Sequence, residues 1–220
     1  MTYNVKSFRF GRGRVASIVA EAAPDVVLMQ EAGRRGSLRR FAASLGMDAA
    51  WDPRLLKRIP HAVVFTRRFR LAEADVHTFT KWRGSPRRGV VSARLRSTEG
   101  SFVAVAAHLG LRPRERDHHA RELTDLLGGY DGGVVVGIDL NEAPDAPASR
   151  WIADRFFDAF AHRGSGRAET FPAKAPTARI DYIFARDARA IADARVLDGG
   201  AARVASDHLP VVADLELGEP

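Results

Sequence analysis

Carboxylates, amides and imidazoles stand at the ends of apolar runs in six places along this chain. Asn4 lies between Tyr3 and Val5, on the face opposite its two apolar neighbours. Glu31 directly follows the run Val26 to Gln30, and His108 directly follows Phe102 to Ala107. Asp139 and Asn141 follow Val134 to Ile138, and their i, i+2 spacing puts them on one side if the backbone stays extended. Asp181 lies inside an apolar stretch, between Ile180 and Tyr182, and Asp207 and His208 immediately precede the last apolar stretch. An ionised carboxylate beside a core strand is costly unless it is paired, hydrogen-bonded or metal-bound. Several such groups at strand ends point to one shared cleft holding a hard cation. Oxygen ligands without sulfur favour Mg²⁺ or Mn²⁺. Taken singly, each residue has a plainer explanation: Asp139 as a turn former ahead of Pro144, Glu31 as the cap of a following helix, His108 and His208 as satisfied core histidines.

The elements that must position these groups are legible as short alternating segments. Val15, Ile18, Val19 and Ala22 follow helical spacing, which predicts an amphipathic helix over 12–23, stopped before Pro24. Further helices are predicted over 36–45, ended by Gly46, over 114–127, closed by Gly128 and Gly129, and over 150–157. Strands are predicted over 25–30, 62–65, 89–95, 102–107, 134–138, 180–184 and 211–217, the last alternating as a strand with one wet face. There is no internal repeat, low-complexity tail or long linker, so sheets flanked by helices in a single domain over 1–220 are expected.

Composition narrows the chemistry. The chain has no cysteine, which excludes a disulfide framework, a thiolate metal site and a cysteine nucleophile. Thirty-four basic against 27 acidic residues give a net charge of +7, and only Lys6, Lys57, Lys81 and Lys174 among the basic residues are lysine. A GC-rich coding bias that prefers arginine codons and alanine is the plainer reading of that excess. The positive field still suits a phosphate-bearing substrate. No apolar run approaches the ~20 residues of a membrane span, and the first residues lack a charged segment followed by an apolar one, so a cytoplasmic protein is expected. The stretch Lys81-Trp82-Arg83-Gly-Ser-Pro-Arg87-Arg88 interleaves an aromatic with cations. Trp82 and Arg88 could there stack a base and hold a phosphate, or touch an anionic headgroup, or form an ordinary basic turn. His118, His119 and Glu122 at helical spacing, with His108, offer a zinc reading, although a solvated first helical turn explains them more simply.

In order, Tyr3-Asn4-Val5, Gln30-Glu31, His108-Leu109, Gly137-Ile-Asp139-Leu-Asn141, Arg179-Ile-Asp181-Tyr and Ser206-Asp207-His208-Leu-Pro210 resemble the successive motifs of the endonuclease/exonuclease/phosphatase superfamily. That group includes deoxyribonuclease I, apurinic endonucleases, sphingomyelinases and inositol-polyphosphate phosphatases. The resemblance runs over residues 2–217. It implies an α/β (α+β) fold, a four-layer α-β-β-α sandwich of two facing mixed sheets, and a divalent-metal-dependent phosphodiesterase that hydrolyses a P–O bond by in-line water attack. It implies Glu31 as principal metal ligand, helped by Asn4 and Asp207, with Mg²⁺ or Mn²⁺ as the ion. Asp139 would orient or deprotonate water and Asn141 would hold a phosphate oxygen. His208 would contact the scissile phosphate with Asp181 fixing its tautomer, and His108 would be a second imidazole on the phosphate or leaving group. A nuclease acting on nucleic acid is the expected activity. The alternatives are the same catalyst on a phospholipid headgroup or small phosphoester, and a silent binding protein on the same scaffold. The sequence departs from the family pattern at Gly137-Ile-Asp139, which carries an extra residue, at Ile59-Pro60-His61, where Gly-Asn is usual, and at Arg116-Asp-His-His119, where Arg-x-x-Gln is frequent. The second departure leaves the group that supports His108 unassigned.

Overall fold

The computed structural model describes residues 1–217. In chain order, the elements begin with β1 (Thr2–Asn4), α1 (Arg12–Ala22), β2 (Val26–Arg34), α2 (Arg35–Ser44), β3 (Met47–Ala50) and β4 (Arg58–Thr66). β5 (Arg70–Thr78), β6 (Gly89–Ser97), β7 (Gly100–His108), α3 (Pro113–Gly128) and β8 (Gly133–Asp139) follow. The chain continues through α4 (Pro147–Ala153), β9 (Phe157–Asp158), α5 (Ala159–Arg163), β10 (Gly164–Ser165), β11 (Asp181–Arg186), β12 (Ala188–Val196) and β13 (Val211–Leu217). A seven-stranded mixed sheet has the order β10-β12-β13-β1-β2-β4-β3, and a six-stranded mixed sheet the order β5-β6-β7-β8-β11-β9.

Period-two alternation assigns every central strand two buried faces. Tyr3, Val27, Met29, Ala62 and Val64 turn outward onto Val15, Ile18 and Val19 of α1 and Leu38 and Phe41 of α2. On the other sheet Val103, Val105, Val134, Val136, Tyr182 and Phe184 turn outward onto Ala120, Leu123 and Leu127 of α3 and Ile152 of α4. The inner faces meet through Leu28, Val63, Phe65, Val91, Leu95, Ala104 and Ala106. The layers are therefore helix, sheet, sheet, helix, as expected.

The same alternation explains where the polar residues go. Asn4 and Gln30 share the inner parity of Leu28, and Asp139 and His108 share that of Val135 and Ala106. At one pole the inner faces come together tightly. Gln30 Nε2 donates to the Gly137 carbonyl of the opposite sheet at 2.9 Å. A Cβ on Gly137 would lie 2.5 Å from Leu28 Cβ and 2.8 Å from Thr2 Cβ, so only glycine permits this approach.

Two departures from the sequence reading have local causes. β5 is an edge strand with most residues exposed, and its sequence carries no apolar alternation to betray it. The helix expected over 150–157 runs over Pro147–Ala153 instead, with proline in its first turn, and Phe157 belongs to β9. We expect Gly137→Ala to destabilise the protein by about 1–3 kcal/mol through overpacking between the sheets. Urea unfolding midpoints would measure this, and an unchanged midpoint would contradict the close approach.

Candidate functional site

Two rungs of sheet build the site. Across the six-stranded sheet, Asp181 pairs with Asp139 and Asp139 with His108, so three ionisable side chains stand on adjacent strands. Across the other sheet, Asn4 pairs with Gln30 and Gln30 with His61. These rungs face each other. Asn4 Nδ2 donates to Asp139 Oδ2 at 2.9 Å and lies 3.4 Å from Glu31 Oε1. The Asn4 oxygen accepts the Lys6 backbone N–H at 3.1 Å, which fixes the orientation of the amide.

Glu31 reaches this pole because β2 is irregular there. The pairing of β2 with β4 shifts register between Gln30 and Gly33, and Glu31 has φ 48°. A bulge of this kind re-aims a side chain that simple alternation would send to the outer face. Lys6 also adopts a left-handed conformation, with φ 44°, and so does Ser7, with φ 57°. That turn lays the Lys6 ammonium 3.1 Å from Asp207 Oδ2 and 3.9 Å from Glu31 Oε1. Glu31 and Asp207 thus stand close enough for one cation to serve both.

Asp139 is 1% exposed and gathers donors. Besides Asn4, it accepts the Asn141 backbone N–H at Oδ1 (3.0 Å), and His108 Nε2 lies 3.2 Å from Oδ2. Asn141 has φ 54°, so the chain turns there rather than staying extended. The turn, not strand alternation, brings Asp139 and Asn141 together, and this corrects the extended spacing expected from sequence. The Asn141 amide donates to the Leu109 carbonyl at 3.2 Å and lies 3.0 Å from His108 Nε2. Burial, then the neighbouring Asp181 carboxylate, pushes the Asp139 carboxyl above its ordinary range, against the opposing pull of His208, Asn4 and the Asn141 N–H.

His208 and His108 are held in opposite states. Asp181 Oδ2 lies 2.9 Å from His208 Nδ1 and also accepts from Thr170 Oγ1 at 2.6 Å. Ser206 Oγ donates to the Asn4 carbonyl at 2.7 Å, and Asp207 and Leu209 bond by backbone to Ala173 and Thr170, so the segment before β13 is fastened on both sides. Burial alone would lower the His208 pKa, but the carboxylates of Asp181, Asp139 and Asp207 outweigh it and raise it to about 9. At His108, by contrast, Arg88 Nη1 sits 2.9 Å from Nδ1. A guanidinium can only donate, so Nδ1 must accept and the ring proton sits on Nε2, facing Asp139. Burial, then the Arg88 charge, holds His108 well below its ordinary value.

All eight residues expected as catalytic or metal-ligating lie at this pole. Arg88 lies there too, but against His108. Trp82 stands apart from them, edge-on to His118 on α3. The His118, His119 and Glu122 group does not form a metal site: Glu122 accepts from the Thr80 backbone and hydroxyl, and His119 Nε2 lies 2.9 Å from the Thr80 carbonyl. Lys6, Thr170 and His61 were not identified from sequence. Lys6 was hidden by a turn that no propensity announces. Thr170 lies far in sequence from the strand whose carboxylate it holds.

The carboxylates fit a hard divalent cation. Glu31 and Asp207 already draw in an ammonium, and Asp139 and Asp181 stand side by side, each 1% exposed. Asp139, Asp181 and His208 also place one ligand atom each within 4.8 Å of one another.

The sequence profile described as the Endonuclease/Exonuclease/phosphatase family matches residues 1–208. The chain belongs to this family. An uncharacterised Escherichia coli protein, YbhP, is 30% identical over 139 residues, a stretch covering 61% of this chain and 54% of YbhP. A mannosyl-6-phosphatase of Bacteroides thetaiotaomicron superposes with a TM-score of 0.82 at 18% identity, covering 97% of each chain. D. rerio TDP2, complexed with a single-strand DNA product, superposes with a TM-score of 0.80 at 17% identity, covering 96% of each. At those identities the likeness is one of fold. Family members are phosphoesterases. Among the described residues, no helix is long and apolar enough to cross a membrane.

The His208 pKa has a signed consequence. Folding raises it from 6.5 to about 9, so its stabilisation is fully present below 6.5 and is lost as pH rises through 9. In chelator, the unfolding free energy should fall over that window by on the order of 3 kcal/mol, and His208→Leu should flatten the slope. A slope unchanged in the variant would refute the assignment.

Proposed function

We propose that the chain is a divalent-metal-dependent phosphodiesterase that hydrolyses a P–O bond by in-line attack of water, acting on nucleic acid. The observation that carries this reading is the single cluster of a shielded carboxylate, Asp139, an imidazolium, His208, and two carboxylates drawn to one cation, Glu31 and Asp207. Mg²⁺ or Mn²⁺ held by Glu31, Asp207 and the oxygen of Asn4 would supply positive charge for the oxygens that become more negative at phosphorus.

The chain's own groups supply the rest. Asp139, with its raised pKa, accepts the proton of the attacking water near neutral pH, and its hydrogen bonds from Asn4 and Asn141 fix the direction in which it does so. His208 has Nδ1 committed to Asp181, so Nε2 is the proton that meets a non-bridging phosphate oxygen. The neutral His108 turns its one N–H toward Asp139, and Asn141, whose amide lies against that ring, holds a phosphate oxygen. The net charge of +7 and the exposed Lys81, Arg83 and Arg87 favour a polyanionic strand over a phospholipid headgroup or small phosphoester with few charges. A small phosphoester is the alternative substrate, and salt separates the two: cleavage of a strand held by several phosphates falls steeply with ionic strength.

EDTA should abolish hydrolysis of plasmid DNA, and Mg²⁺ or Mn²⁺ should restore it. Glu31→Gln should raise the metal concentration needed by at least tenfold while leaving the melting temperature within a few degrees. Full activity in chelator would overturn the mechanism. His208→Ala and Asp181→Asn should each lower kcat by orders of magnitude, with the double variant little worse than the poorer single, because Asp181 acts by holding the His208 ring. Multiplicative losses per folded molecule would separate the two residues and refute the pairing.

A further inference from the structure

Beside the catalytic cluster, between the ends of β4, β5 and β6, lies a cavity of about 350 Å³ whose polar lining includes Asp52, Arg54, His61, His77, Arg87 and Arg88. Its one carboxylate is already spent: Asp52 accepts from Arg54 Nε at 2.9 Å, Nη2 at 3.1 Å and the backbone at 2.9 Å. That leaves the guanidinium groups of Arg87 and Arg88 and two imidazoles without an acidic counterpart in the lining.

Three nitrogens of these residues are buried with no partner: His61 Nδ1, His77 Nε2 and Arg88 Nε. His61 itself is 4% exposed. Buried donors and acceptors left unpaired cost about 1–3 kcal/mol each, so three of them in the wall of one small cavity mark a place where water or the oxygens of a ligand would be taken up. The volume is at the lower end of pockets that hold small ligands, large enough for a phosphoryl group with part of the residue carrying it.

Position ties the cavity to the site. Arg88 forms their shared wall, with Nη1 on His108 and the unpartnered Nε on the same guanidinium. His61 stands edge-on to His108 with ring centroids 6.1 Å apart, on the rung that also carries Asn4. Resting on the phosphodiesterase reading above, we infer that this cavity is a subsite for a second phosphate group of the substrate, adjacent to the scissile one, bound by Arg87, Arg88, His61 and His77. The second phosphate is either the neighbouring phosphodiester of a strand or a monoester on a small molecule; both present the same oxygens to the same nitrogens.

The test begins without catalysis. Inorganic phosphate is titrated into the protein in EDTA, following the ring resonances of His61 and His77 by NMR. Saturable shifts of both rings are expected, and the exposed substitution Arg87→Ala, alone and with His77→Leu, should weaken the binding read at His61 by at least tenfold. Rings that do not respond, or binding unchanged in both variants, would overturn the subsite. Kinetics then identify the source, comparing the p-nitrophenyl ester of thymidine 5′-phosphate with and without a 3′-phosphate, and a phosphorylated sugar with one or two phosphates. The subsite predicts that the second phosphate lowers KM at least tenfold in one series and that Arg87→Ala removes this preference. Absence of any hydrolysis alongside Arg87-dependent phosphate binding would refute the catalytic reading and leave the subsite standing. Hydrolysis indifferent to the second phosphate in both series would refute the subsite alone.

Discussion

Four carboxylates converge at one end of this sandwich, and their mutual repulsion is the constraint that organises everything around them. Asp139 and Asp181 are nearly inaccessible and stand on neighbouring strands, while Glu31 and Asp207 flank them. Each buried ion costs several kcal/mol unless it is compensated. Compensation comes from both sheets: the Asn4 amide, the Asn141 backbone, the Thr170 hydroxyl, the His208 ring and the Lys6 ammonium. The sheets must therefore approach closely at this end, and Gly137 permits them to do so. A pole assembled this way is costly for folding, and it holds fixed donors around a shielded carboxylate without any rearrangement.

The two histidines show how neighbours of opposite sign divide the work between chemically identical rings. Asp181 keeps His208 cationic against its burial, whereas burial, reinforced by the Arg88 charge, keeps His108 neutral. One ring can meet an anionic oxygen with a full charge; the other offers an N–H without adding charge beside it. Arg88 was expected to bind substrate; the structure places its guanidinium on His108 Nδ1, where it sets the tautomer of that ring. That also answers what stands behind His108 in place of the more usual partner.

Much of this was legible in the sequence, for a physical reason. β1, β2, β7, β8 and β11 are buried on both faces, so each polar residue in them stood out against an apolar background and marked the pole. The order of Asn4, Glu31, His108, Asp139, Asn141, Asp181 and His208 then carried the family likeness. The illegible part was built by exposed edges and turns. β5 presents solvent along most of its length and β12 along part of it, and neither leaves a clear pattern. The left-handed turns at Lys6 and Asn141 depend on tertiary contacts, and His61 drew notice only as a departure from a family motif until its rung with Asn4 was known.

The outer carboxylates, now sharing the Lys6 ammonium, are where the proposed phosphodiesterase would hold its divalent cation. Anomalous diffraction from crystals soaked in Mn²⁺ tests it directly. The account predicts a peak within coordination distance of Glu31 and Asp207, with the Lys6 ammonium moved away from both. A peak ligated instead by His208 and Asp181, or none at millimolar Mn²⁺ with Lys6 unmoved, would contradict it.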